Sequence, residues 1–190
     1  MIDNRALVET ILRGDPDAFR TLIRQHQRLV GHIVGRMVKN REDVEDICQE
    51  VFLKIYRSLK DFKFNSQLST WIAAIAFNTA VTHMQKTKGA EAIFGGDDEI
   101  DSFPAAPDGS APDAAAERAN ISFVLRTEID HLPPLYGTIV ALFHLHEMSY
   151  QEIGTIMKLP KGTVKSYLFR GRRLLKQRLT AQIRQEDLCL

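Results

Sequence analysis

Apolar residues recur along this chain at three- and four-residue steps, in stretches long enough for helices, and nowhere at the two-residue step of a strand. Ala6, Leu7, Ile11 and Leu12 predict a short amphipathic helix closed by Gly14. Asp15-Pro16 then offers a cap and a first-turn proline. Phe19, Leu22, Ile23, Leu29, Val30, Ile33, Val34 and Met37 carry a long helix to about Val38, ended by Lys39-Asn40-Arg41. A third helix is expected from about Glu42 to Leu59, with Val44, Ile47, Cys48, Val51, Ile55 and Leu59 as its buried stripe. After a loop at Asp61–Ser66, Ser66 is placed to cap a helix with Trp71, Ile72, Ile75, Ala76 and Thr79 on one side. The pattern stops at Gly89 and returns from Ala114 through Ile121, Val124, Leu125 and Ile129. His131-Leu132-Pro133-Pro134 breaks it again. Tyr136–His146 then reads as a helix packing Ile139, Val140, Leu142 and Phe143 against the C-terminal helices. The fold expected is all-α.

The stretch Ser149–Lys176 is the most informative. Ser149 with Glu152 three residues on has the spacing of a capping box, so a helix should start at Tyr150. Ile153, Ile156 and Met157 form its apolar side, and Leu159-Pro160 ends it in a tight turn. From about Lys161 a second helix places Val164, Tyr167, Leu168, Gly171, Leu174 and Leu175 on one face. Lys165, Ser166, Phe169, Arg170, Arg172, Arg173 and Lys176 fall on the other. This is the pattern of a helix-turn-helix whose second helix fits a major groove.

Charge strengthens that reading. Between Lys158 and Arg184 stand Lys158, Lys161, Lys165, Arg170, Arg172, Arg173, Lys176, Arg178 and Arg184, with no Asp or Glu. A solvated face normally mixes signs, whereas a one-sign face attracts a polyanion. Phe169, an aromatic among cations, is suited to thymine methyls or sugars. The net charge of +1 conceals this segregation. Gly89–Asp113 holds three prolines, four glycines and seven acids without a Lys or Arg, the composition of a flexible acidic linker. The expected organisation is therefore two small helical domains, residues 1-88 and 114-190, joined by the linker 89-113.

On the third helix Asp43, Asp46, Gln49 and Glu50 share a face with Leu53, and an apolar residue inside an acidic cluster tilts that face toward a protein contact. Phe62 and Phe64, beside a helix carrying Trp71 and Asn78 and ending in Lys86 and Lys88, are suited to stacking on unpaired bases. Trp71 is equally suited to anchoring a core. His131, His144 and His146 resemble metal ligands in type only, since positions two apart on a helix point away from each other. No metal site or cofactor is expected. No nucleophile–base pair or phosphate loop is present, so there is no catalytic residue to name and an enzyme is set aside. Cys48 and Cys189 match no metal spacing, no apolar run is long enough for membrane insertion, and the N-terminus has no leader pattern. A cytoplasmic protein is expected. On these residues a stand-alone helix-turn-helix regulator remains open.

Taken together, DPDAFRTLIRQHQRLV, DVEDICQEVFLKIYRSLKDF and STWIAAIAFNTA resemble region 2 of sigma-70 family factors of the extracytoplasmic-function (ECF) group. LPPLYGTIVALFHL and SYQEIGTIMKLPKGTVKSYLFRGRRLLK resemble region 4. The resemblance implies a monomer that joins core RNA polymerase, directs it to promoter DNA and is held inactive by a cognate anti-sigma factor. It implies that Asp46, Gln49, Glu50 and Leu53 dock on the polymerase. The loop Phe62, Phe64, Asn65, Ser66, Thr70, with Trp71 and Asn78, would hold the minus-ten element. Lys161, Thr163, Lys165, Ser166, Phe169, Arg170 and Arg173 would face the minus-thirty-five element. Ala74, Phe77, Val81 and Thr82 stand where the family often carries charge, which implies fewer phosphate contacts. Gly154 replaces a usual Ala, at about 1 kcal/mol of helix propensity.

Overall fold

A computed structural model of the chain describes residues 4–88, 124–125 and 127–187. The linker 89-113 and the return of the helical pattern at 114–123 lie outside them. Helix α1 (Asn4–Leu12) ends ahead of Gly14, whose φ of 93° suits a residue without a Cβ. Helix α2 (Pro16–Met37) starts as expected, with Asp15 Oδ1 accepting from the N–H groups of Asp17 at 2.8 Å and Ala18 at 3.2 Å. Helix α3 (Arg41–Ser58) is capped by Asn40, whose side chain accepts from Glu42 N at 3.0 Å. A 3-10 turn, Leu59–Asp61, follows. Helix α4 (Leu68–Lys88) begins later than Ser66 would allow: Trp71 N donates to Gln67 O, so the capping position is Gln67, and Ser66 stands outside it.

α2, α3 and α4 pack on one another around Leu22, Val30, Ile33, Val51, Ile55 and Ile72. Leu12, expected on the apolar side of α1, is instead exposed. Val44 and Cys48 sit at the edge of the α3 stripe, half-buried, while Ile47, Val51, Ile55 and Leu59 are buried as expected.

Residues 127–130 are helical and Ile129 is buried. Helix α5 (Pro134–His144) starts at Pro134, and Leu145 caps its C-terminal end. It has the length of the expected Tyr136–His146 helix but lies two residues nearer the N-terminus, and His146 lies beyond it. Every residue from Leu135 to Leu142 is buried, because the last helix, α7 (Lys161–Asp187), covers one side of α5 and α2 covers another. Helix α6 (Tyr150–Met157) has the full capping box: Glu152 N donates to Ser149 Oγ at 3.3 Å and Ser149 N donates to Glu152 Oε2 at 2.9 Å. Helix α7 buries Val164, Leu168 and Leu175 against α5 and α6. Among the described residues there is no strand.

The two helical units are in contact, α2 on α5 and α4 on α6, and their apolar residues form one continuous core. The turn between α6 and α7 is closed by Lys158, left-handed at φ 56°, and by the Leu159 N–H donating to Gly154 O at 3.0 Å. A Cβ on Gly154 would lie 2.8 Å from the Leu159 carbonyl oxygen. Glycine at this position is therefore required by the turn rather than a tolerated weakness. Gly154→Ala is expected to lower the thermal denaturation midpoint, even though alanine gains about 1 kcal/mol in helix propensity; an unchanged or raised midpoint would contradict the close approach.

Candidate nucleic-acid interface

Once Val164, Leu168 and Leu175 are anchored beneath it, α7 turns Lys161, Lys165, Ser166, Phe169, Arg170, Arg172, Arg173 and Lys176 to solvent. Thr163 is half-buried at the start of the helix. Phe169 is 70% exposed, more than Leu12, Leu53 or Tyr56, the other exposed large hydrophobic side chains among the described residues. Ser166 Oγ donates to Gly162 O at 3.1 Å, which points its hydroxyl back along the helix. Lys165 Nζ lies 5.7 Å above the Tyr150 ring, and Tyr150 stacks on Phe143 at 5.1 Å between centroids. The Arg172 guanidinium also sits on Phe143, 5.1 Å from the ring centroid, and Arg172 Nε donates to His144 Nε2 at 3.0 Å. Burial first, and the Arg172 charge second, hold His144 below the usual histidine range. His144 is thus a neutral acceptor for Arg172. Among the described residues no group of three His, Cys, Asp or Glu side chains is placed to hold a metal ion.

The other unit presents two surfaces. On the outer face of α3, Asp46, Gln49 and Glu50 are exposed together with Leu53, which is 54% exposed. Glu50 Oε1 is 2.7 Å from Lys54 Nζ, so part of the acidic cluster has a cation beside it. Asp43, expected on this face, turns toward α4 and lies 3.7 Å from His83 Nε2.

The loop ahead of α4 divides the expected base-binding residues. Asn65 and Ser66 are exposed. Phe64 has a left-handed backbone, φ 56°, with its ring against Phe62 at 4.7 Å and the Arg5 guanidinium 4.8 Å from its centroid. Phe62 is only 8% exposed and packs at 5.1 Å on Trp71, which is half-buried at the edge of the core, so the structure gives Phe62 a core role and leaves part of Trp71 at the surface. Thr70, expected to be available to a base, is 2% exposed. Helix α6 covers it, and Thr70 Oγ1 donates to Glu152 Oε1 at 2.9 Å. Sequence periodicity misses this contact because it comes from the other unit, 82 residues away.

Asn78 is exposed, with its Nδ2 donating to Ala74 O at 2.7 Å. It lines a groove of about 490 Å3 together with Lys54, Arg57, Ser58, Asp61, Ile75, Thr79 and Thr82. Lys54 Nζ reaches across it to Thr79 Oγ1 at 3.3 Å. Lys54 and Arg57 are cations beside Asn78 that periodicity and net charge do not single out. Their signal in the sequence is the switch from acids to bases along α3.

Comparison with known proteins places the chain in a family. Residues 22–89 match the family described as sigma-70 region 2, and residues 122–175 match sigma-70, region 4. RNA polymerase sigma-H factor of Pseudomonas aeruginosa is 30% identical over 96% of this chain and 96% of its own. The ECF RNA polymerase sigma factor SigW of Bacillus subtilis is 31% identical over 90% of this chain and 94% of its own. The ECF RNA polymerase sigma-E factor of Escherichia coli is 31% identical over 97% and 98%. Among solved structures, CnrH in complex with the cytosolic domain of CnrY shares the fold with a TM-score of 0.63 and 18% identity, over 94% of this chain and 97% of that one. The sigma factor RpoE of Bartonella quintana, in complex with the anti-sigma factor NepR, does so with a TM-score of 0.60 and 19% identity, over 85% and 96%. With both regions present in order and these relatives matching over almost the full length, the chain belongs to the sigma-70 family, in its group of extracytoplasmic-function RNA polymerase sigma factors.

Proposed function

We propose that this sigma factor acts in the cytoplasm as a transcription initiation factor, engaging core RNA polymerase through α3 and promoter DNA through α7 and the α3–α4 groove. The observation that carries the reading is the outer face of α7, where an exposed Phe169 stands in a row of cations with no acid among them. Lys165, Phe169 and Arg170 face the minus-thirty-five element in the major groove, with Lys161, Thr163, Ser166 and Arg173 around them. Asn78, Asn65 and Ser66 are the exposed members of the minus-ten set, with Phe64 and Trp71 half-buried beside them, and Lys54 and Arg57 add phosphate-seeking charge beside Asn78. Asp46, Gln49, Glu50 and Leu53 form the polymerase contact, an apolar centre with an acidic rim.

Residues 1-88 and 114-190 then act as two readers on the linker 89-113. Each makes few contacts alone, and attachment to one large enzyme raises their effective concentration at a promoter. The contact that buries Thr70 under α6 belongs to a form in which the readers are held together. An anti-sigma partner that engages both units would favour such a form; RpoE, one of the structural relatives, is bound to an anti-sigma factor.

Run-off transcription with purified core polymerase and a promoter library tests the reading, and absence of any promoter-dependent product would reject it. Lys165→Ala and Arg170→Ala are each expected to lower promoter use about tenfold, the cost of one lost base or phosphate contact, with polymerase binding retained in a pull-down. Asp46→Arg is expected to weaken core association several-fold while leaving the thermal midpoint in place; unchanged affinity would move the docking surface off α3.

A further inference from the structure

The contact between the two helical units contains an unusual pair. His32, on α2, and His146, just beyond α5, face each other across the boundary with Nδ1 and Nε2 3.0 Å apart and ring centroids 5.1 Å apart. One turn along α2, Arg36 lies in the same contact with its side chain 5% exposed. Its Nη1 donates to the His32 carbonyl at 2.7 Å, and its Nη2 meets Asp130, ahead of α5, at 2.9 Å. Its Nε is buried without a hydrogen-bond partner. The boundary thus already holds one cation, offset by a carboxylate that is 60% exposed.

From these contacts we infer that the His32–His146 pair is a proton-sensitive latch: neutral, it fastens the two units together, and protonated, it releases them. As neutral rings, one imidazole donates and the other accepts. A first proton places a full charge next to Arg36 in a partly desolvated site. A second leaves two N–H groups pointing at each other. The groups facing His146 are His32 and Arg36 from α2, with Asp130 behind Arg36; two residues back, His144 is engaged by Arg172 of α7.

The direction follows from linkage. Burial first, then His32 and Arg36, push His146 from its ordinary 6.5 down to about 4. When the units part, the ring returns to water and binds protons more readily, so acid favours the parted form. Closure is at full strength above about pH 6.5 and weakens as pH falls toward 4. Because the ring is only partly buried, solvent screening limits the effect, and a change of about threefold to tenfold between pH 7.5 and 5.5 is expected. Release would uncover Thr70 and free both readers; this consequence rests on the function proposed above, whereas the latch itself does not.

Small-angle X-ray scattering on the free full-length chain tests it, with far-UV circular dichroism as a check that helices persist. The radius of gyration is expected to rise between pH 7.5 and 5.5. His146→Asn, neutral at both, should lose that rise even though His26, His83, His131 and His144 are still present. His146→Arg should be expanded already at pH 7.5. A wild-type radius that stays constant over this range, or a His146→Asn profile with the wild-type midpoint, overturns the latch. If His146→Arg loses helicity, the comparison of wild type with His146→Asn still decides. No arm uses polymerase, so a failed run-off assay leaves this result intact, and the converse holds.

Discussion

The burial of α5 on more than one side is the constraint on which the rest of the structure depends. A surface helix has one apolar stripe, but α5 has almost no polar position between Leu135 and Leu142, and Thr138 turns its hydroxyl back to Pro134 O at 2.7 Å. It must therefore be covered on more than one face. α7 supplies one cover and α2 supplies another, which is why the two units share a core and why α6 is brought over the start of α4. Burying α7's apolar face on α5 also leaves its cations and Phe169 to the outside. The exposed cationic face and the closed arrangement have a common cause.

Much of this was legible in the sequence because it is local. Asp15-Pro16, the Ser149–Glu152 pair, the Pro133-Pro134 break and the apolar spacing of α7 each act within a few residues, and all stand as the pattern implies. The start of α4 is off by one position because two polar residues, Ser66 and Gln67, precede the helix and either can flank it. Gly154 reads as a propensity cost because its benefit lies in a carbonyl five residues on, in a turn whose tightness no periodicity reports.

The candidate site was less legible where it depends on contacts distant in the chain. Phe62 and Thr70 have the composition of an exposed recognition loop, and both are buried, one against Trp71 and its neighbours and the other under α6. His146 offered only its residue type; its partner lies 114 positions away. The apolar length of PLYGTIVALF was the available clue that α5 would need a second cover. Charge patterning, in contrast, carried over directly, since a one-sign face has no interior to retreat into. The groove of Lys54, Arg57 and Asn78 shows its limit: α3 changes from acidic to basic along its length, and a net count over the helix cancels the two ends.

The two oxygens of Glu152 divide their work. Oε2 binds Ser149 within the cap of α6, and Oε1 reaches across to Thr70. The Ser149 backbone N–H is the main reason this carboxyl is held below the usual carboxylate range, with the Ser149 and Thr70 hydroxyls adding to it against burial. Separation of the halves would therefore surrender one hydroxyl contact to water and leave the start of α6 as firmly fastened as before. The same side chain that ties the helix-turn-helix down is also the one that lets it go without fraying.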